Sequence, residues 1–294
     1  METGQQILNA ISLGGIYALL ALGLAIVFSI LHLINFAHGE LITLPAYAMY
    51  GMYLLGLPWV AFAAISILVG VVAALAMERI AFRPVRDASP ATLLLTSLGL
   101  SIIIQSLLQM LISPRERAVP QPDWLLDSFE VAGLRVQAVQ LLAIGVTIVS
   151  LVALTLIMQR TRMGIAMRAA AEDFDATRLM GISANRVIAL AFAISGLLAS
   201  LAAILLLARR GTVHPSMGLL PVLKAFVATV LGGFGSLAGA AVGGFLLGFL
   251  EVALRAWLPQ DVAGFTEGIL FAIVGFLLFL RPNGLFGRAE VVRA

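Results

Sequence analysis

Long apolar runs alternate with short polar interruptions along almost the whole chain, and the lengths of those runs set the class of protein. A helix needs about 20 apolar residues to cross a bilayer. Runs over 7–31, 41–57, 59–77, 91–112, 138–158, 187–208, 219–250 and 268–280 approach or exceed that length, and several are cleanly bounded by charges. The run over 219–250 is too long for one ordinary helix and is broken by Gly232-Gly233-Phe234-Gly235-Ser236. A second break, Ile34-Asn35-Phe36-Ala37-His38-Gly39-Glu40, separates the first two runs. The pattern predicts an all-α polytopic membrane protein of about eight or nine segments, two of them interrupted or re-entrant. It also predicts one domain over residues 1–294.

One break lies near each end of the chain, so they are expected to be equivalent parts of an internal inverted repeat. Freed backbone at such breaks must line a cavity or be buried in protein, which makes them pointers to a transport path. A pair of ordinary connecting turns is the competing reading. Beyond the second break, Gly235, Gly239 and Gly243 recur every four residues, a spacing that lets helix backbones approach closely.

The stretch 159–186 breaks the apolar pattern. It carries five arginines, Glu172, Asp173 and Asp175 between two charge-free runs, yet keeps a helical period. At 100° per residue Met163, Met167, Ala170 and Phe174 share one face, with Arg168, Glu172, Asp175 and Leu179 on the other. A passive connector has no need of an apolar face, so this loop is read as docking onto something.

Composition sharpens the class. Of 294 residues, 61% are hydrophobic and 11% charged, against about 25% charged in a soluble domain. Cysteine is absent, which excludes disulfide and thiol chemistry. METGQQ has no basic n-region, so the first run is expected to be a retained span. Arginine placement orients the chain: three lie in 78–90, five in 159–186 and three after Leu280, against six in the connections on the other side. The positive-inside rule makes 159–186 a cytoplasmic loop and 113–137 an external one. The C-terminal end then also lies inside, so 219–250 must cross twice or enter and return. The N-terminus lies outside if 7–31 crosses once.

Candidate chemistry is sparse. Lys224 is the only lysine, and an intramembrane lysine is a functional candidate. It is also near enough to the segment end to snorkel. His38 and Glu40 flank Gly39, where a polar helix cap is the plain account. Glu78 and Arg79 read as an interfacial ion pair. Residues 129–136 alternate around Ala132-Gly133 and predict a small external hairpin. There is no Gly-Lys-Ser/Thr phosphate loop, no His-Glu-x-x-His and no metal-ligand cluster, so neither ATP binding, a metal centre nor catalysis is expected in this chain. Nothing suggests a nucleic-acid partner.

Four blocks in order carry a resemblance: ALGLAIVFSILHLINFAHGE, RAAAEDFDATRLMGISANRVIALAFAISG, KAFVATVLGGFGSLAGAAVGGFLLG and RPNGLFG. Together they resemble permease subunits of ABC importers for branched-chain amino acids, in the form lacking a fused ATPase. The resemblance implies a prokaryotic cytoplasmic (inner) membrane protein that pairs with a second permease, same or related. It also implies two cytoplasmic ATPase subunits, carrying the ATP and magnesium, and an external substrate-binding protein. The ATPase-docking positions it implies are Ala170, Ala171, Glu172 and Gly181; Arg168, Asp173 and Leu179 of the same loop are further candidates for the contact. The path candidates are Asn35, His38, Glu40, Lys224, Gly232, Gly233, Gly235, Ser236 and Gly239. Related permeases are associated with leucine, isoleucine and valine, and also with other amino acids, amides or urea. A secondary transporter driven by an ion gradient is the rival reading; it requires ionisable residues deep in the spans. A non-transport membrane scaffold is the other.

Overall fold

A computed structural model describes residues 2–131 and 134–286 of the chain. Its first four helices are α1 (Glu2–Leu31), α2 (Glu40–Leu54), α3 (Trp59–Ala76) and α4 (Pro90–Leu111). An external stretch follows, with strand β1 (Arg117–Ala118), the short helix α5 (Asp123–Leu126) and the hairpin β2 (Ser128–Val131) and β3 (Leu134–Gln137). Next come α6 (Ala138–Arg160), α7 (Arg162–Glu172), α8 (Phe174–Leu179) and α9 (Ala184–Arg210). Strand β4 (Thr212–Val213), α10 (Leu219–Gly232), α11 (Leu237–Trp257) and α12 (Thr266–Leu280) complete it. Among the described residues seven helices are long and apolar enough to cross a membrane. The short helices α2 and α10 have 15 and 14 residues. At 1.5 Å per residue they reach only about 22 and 21 Å, less than a hydrocarbon core of about 30 Å.

Local signals set the boundaries. Ser89 Oγ accepts the Thr92 N–H ahead of Pro90 at the first turn of α4, and Gln137 and Gln140 form a reciprocal capping box at the start of α6. Burial sorts the helices into core and rim. The apolar windows of α1 and α9 are 89% and 78% buried, those of α4 and α12 only 17% each. The antiparallel α1–α9 pair is therefore the core, and α4 and α12 form the rim with most of their apolar surface exposed.

The repeat is real, but its register differs from the one expected. Helix α1 packs on α10 and α11, and α9 packs correspondingly on α2 and α3. The series α1 to α4 therefore matches α9 to α12 with inverted direction: a long core helix, a short helix, then two long ones. Under this correspondence the 32–39 connection pairs with 211–218, and the Gly232–Ser236 break pairs with the turn at Gly56, φ 66°. The two breaks singled out by sequence occupy non-equivalent places in the repeat. Equivalent ends do meet: Gly39 caps the start of α2, Gly218 the start of α10, and the two touch. A Cβ on Gly218 would collide with the Gly39 carbonyl oxygen, so only glycine allows this approach.

The two ends of the bundle are distinct. At one, Gln5 exchanges hydrogen bonds with the Arg135 backbone at 2.9 and 3.1 Å, and β1 pairs with β4. This puts the N-terminus beside the 113–137 loop, on the external side by the charge rule. Trp59 and Trp124 meet edge to face there, 5.5 Å between centroids. The hairpin matches its prediction, pairing Ser128 with Gln137 and Phe129 with Val136; Ala132 and Gly133 lie outside the described residues. The other end gathers α7, the 233–236 turn and residues 282–286. Helix α10 runs antiparallel to α11, with the Gly232–Ser236 break as the reversal between them. Near this end Glu78 pairs with Arg86 at 3.9 Å rather than with Arg79. A wide helical turn over Met77–Phe82 rotates Glu78 inward and leaves Arg79 exposed.

Candidate translocation path and coupling site

Helix α7 starts where Thr161 Oγ1 accepts the Gly164 N–H, folding the chain back against the end of α6. Gly164 is pressed on the Ile157 and Met158 backbone, and this contact fixes which face of α7 is buried. That face is Gly164, Ala166, Met167 and Ala170. Met167 and Ala170 lie on that face as expected, while Met163, expected with them, is 37% exposed and Gly164 makes the close contact in its place. Phe174 packs against the core as expected. Ala170, at 2% exposure, is a packing residue and faces no solvent.

Arg168, Glu172 and Asp173 are exposed and Ala171 half-buried. Asp173 Oδ1 accepts the Ala176 N–H at 2.9 Å, so its carboxylate caps α8. The side chain of Asp175 lies outside the described residues. Gly181 ends α8 at φ 80°. Just before it, Leu179 and Met180 stand 89% and 82% exposed, an unpartnered apolar knob on the arginine-rich end.

The first break lies inside the bundle. Asn35, His38 and Glu40 are 3%, 1% and 1% exposed. The helix-cap reading fails, since neither side chain caps α2. Instead Glu40 Oε1 accepts from Ser101 Oγ and Gln105 Nε2, both at 2.7 Å, tying α2 to α4. His38 Nδ1 lies 3.2 Å from Ser195 Oγ on α9.

Snorkelling of Lys224 fails as well. Its Nζ sits 2.8 Å from Glu251 Oε2, 2.8 Å from Glu267 Oε1 and 3.2 Å from the Tyr17 hydroxyl. Tyr17 donates to Glu251 Oε2 at 2.7 Å, and Arg255 Nη2 reaches Glu251 Oε1 at 2.5 Å. Two cations and two carboxylates thus join α10, α11 and α12, with Tyr17 of α1 bonded in. Sequence reasoning missed Glu251, Glu267, Ser101 and Gln105, and counted Lys224 as the sole deep ionisable residue. The i,i+4 spacing of Glu251 and Arg255 was the one signal available.

The second break divides its candidates. Gly232 and Gly239 are packed against each other between α10 and α11, and serve helix contact. Ser236 Oγ accepts the Gly239 N–H and caps α11. Gly235 and Ser236 line a cavity of about 980 Å³ together with Arg168 and Glu172. After α12, the Leu285 and Phe286 N–H groups donate to the carbonyls of Leu231 and Gly232 at 2.9 and 3.0 Å. Residues 281–286 are thereby a clasp on the open end of α10.

An inverted repeat around a buried helix pair, with two short helices meeting inside it and a helical elbow on the arginine-rich end, is the build of a membrane transport subunit. Comparison with known proteins specifies which. The chain belongs to the branched-chain amino acid transport system / permease component family, which it matches over residues 6–280. It is 36% identical to BraD of Pseudomonas aeruginosa, a high-affinity branched-chain amino acid transport system permease protein, covering 98% of this chain and 96% of that one. It is 34% identical to LivH of Escherichia coli K12, a permease protein of the same description, with the same coverage. A shorter likeness, 34% over 132 residues, links it to the ribose import permease protein RbsC of Escherichia coli K12, covering 43% and 40% of the two chains. The protein is a multi-pass inner-membrane permease subunit of an ABC importer. It is a transport component rather than an enzyme, and works with ATPase and binding-protein partners.

Proposed function

We propose that this chain, paired with a second permease of the same or a related kind, forms the path for leucine, isoleucine, valine or closely related amino acids. An external substrate-binding protein delivers the solute. Two cytoplasmic ATPase subunits, which hold the ATP and magnesium, drive the cycle. The relatives' association with branched-chain amino acids supports the substrate class. The path runs along the half-buried face of α10, from Phe36 in the first break to the Gly233–Ser236 turn.

One observation carries the coupling role: α7 is buried on one face against the spans, while α8 ends in the exposed Leu179-Met180 pair. An element fixed to the bundle on one side and apolar on the other transmits motion between two bodies. ATPase closure then shifts the spans between two packings. Glu172 and Gly181 are the tested positions. Glu172→Lys and Gly181→Leu in the reconstituted complex are expected to leave membrane insertion intact and to separate ATP hydrolysis from uptake. Normally coupled uptake in both variants would overturn the docking assignment.

A further inference from the structure

We propose that Phe234 is the movable cytoplasmic gate of the path, swinging on the Gly233–Gly235 turn between the spans and the cavity beside α7. The inference rests on the path reading above and adds the residue that closes it.

Four phenylalanines from four different places connect the two breaks. Phe36 of the first break lies 6.3 Å from Phe226 of α10, Phe226 lies 5.9 Å from Phe234, and Phe234 lies 4.4 Å from Phe28 of α1, centroid to centroid. Phe28, Phe36 and Phe226 are half-buried and Phe234 is 39% exposed. This aromatic series ends at the cavity of about 980 Å³, whose wall includes Phe234, Ile26, Met167, Arg168 and Glu172. Phe234 therefore stands between the half-buried face of α10 and a chamber shared with the coupling helix.

The mounting of that ring differs from the other three. Gly233 and Gly235 flank it at φ 105° and 83°, a conformation that side-chain-bearing residues rarely adopt. A Cβ at Gly235 would meet nothing within 4 Å, so the turn borders open space. Both neighbours of the turn are anchored. The clasp at Leu285 and Phe286 holds Leu231 and Gly232 on one side, and the Ser236 cap holds α11 on the other. Within the turn, Gly233 N–H donates to the Thr229 and Val230 carbonyls and its own carbonyl accepts from the Ser236 N–H, so the freedom that remains is that of Gly235 and Phe234 with its one large ring. Arg168 and Glu172 line the same chamber, so a shift of α7 changes the space into which Phe234 turns. An apolar amino-acid side chain passing this point meets rings, and its polar end meets the charged chamber wall.

This chain has no natural cysteine, so an introduced thiol is its only one. In proteoliposomes holding the full complex, Phe234→Cys is expected to leak solute without ATP, and benzyl methanethiosulfonate then places a phenyl ring back on the turn through a disulfide. That modification is expected to lower the leak, and reductant, which releases the benzyl thiol, to raise it again in the same vesicles. A leak that complete labelling leaves unchanged overturns the gate. Phe234→Ala is expected to raise ATP-independent leak about two- to tenfold, the weight of one aromatic pair on a closed–open equilibrium; unchanged leak counts against it. Phe36→Cys separates the two ideas. If a thiol reagent at position 36 blocks uptake while Phe234→Cys leaks no more than the parent, the path stands and the gate falls. If position 36 is unreactive in every nucleotide state, the path reading falls and the gate with it.

Discussion

Replacing Lys224 with methionine probes the interior most sharply, because the residue is 5% exposed and bridges three helices. The substitution keeps length and apolar stem but removes Nζ and its contacts at 2.8, 2.8 and 3.2 Å. Glu251, fully buried, would keep only Tyr17 and Arg255, whose side chain is 59% exposed. Breaking a buried pair from one side costs about 3–5 kcal/mol when the remaining charge is left uncompensated. Arg255 still pairs with Glu251 here, which holds the loss to the low end of that range. The Glu267 arm, with a side chain 39% exposed, is screened by solvent and adds at most about 1 kcal/mol. The expected destabilisation is therefore about 3 kcal/mol, carried mainly by Glu251. Removing both buried charges in Lys224→Met/Glu251→Gln should recover much of it, giving a coupling of about 2–3 kcal/mol in a double-mutant cycle. Unfolding in mixed micelles of rising SDS fraction, followed by tryptophan fluorescence, reads these differences. A single variant within about 0.5 kcal/mol of the parent, or a double variant as unstable as the sum of its singles, would refute the reasoning.

Two further outcomes follow from the same coordinates. Leu179→Ala, truncating a side chain 89% exposed in the isolated chain, should weaken ATPase-subunit association; full burial of a leucine is worth about 1.5–3 kcal/mol, or roughly ten- to a hundredfold in affinity. Pull-down titration measures it, and unaltered affinity would move the contact elsewhere. Gly218→Ala should disrupt the meeting of α2 and α10, because the new Cβ runs into the Gly39 carbonyl, whereas Gly99→Ala, with nothing within 4 Å, should be tolerated. Equal thermal stability of the two variants would argue against the junction.

What could be read from the sequence depended on whether its cause was local. Span existence follows from run length, and the ends of α4, α6 and α9 follow from Ser89-Pro90, Gln137 and Gly211, so the all-α polytopic class was legible. The reversal within 219–250 was legible too, since glycines at 232, 233 and 235 leave few alternatives. The register of the repeat was not. Two breaks with similar composition invited equivalence, while the true counterparts, 211–218 and Gly56, carry weaker local signals. The ion cluster was hidden for another reason: Lys224 finds Glu251 across 27 positions and Tyr17 across 207. A lysine near a span end looks the same whether it snorkels or meets a carboxylate on another helix. The α7 face was legible except at Met163, because Gly164 rather than the apolar period makes the closest contact with α6. The roles of the coupling residues in 159–186 came chiefly from resemblance, and the structure adds that Asp173 and Ala170 already have work within the chain.

The central claim is that this chain forms the path of an ATP-driven importer for apolar amino acids. It is tested most directly by uptake of radiolabelled leucine, isoleucine and valine into proteoliposomes assembled with its partner permease and ATPases, with the cognate binding protein added outside. The account predicts accumulation that requires ATP, the binding protein and this chain together, and that survives collapse of ion gradients. Accumulation that follows an ion gradient without ATP, or that proceeds when this chain is left out, would contradict it.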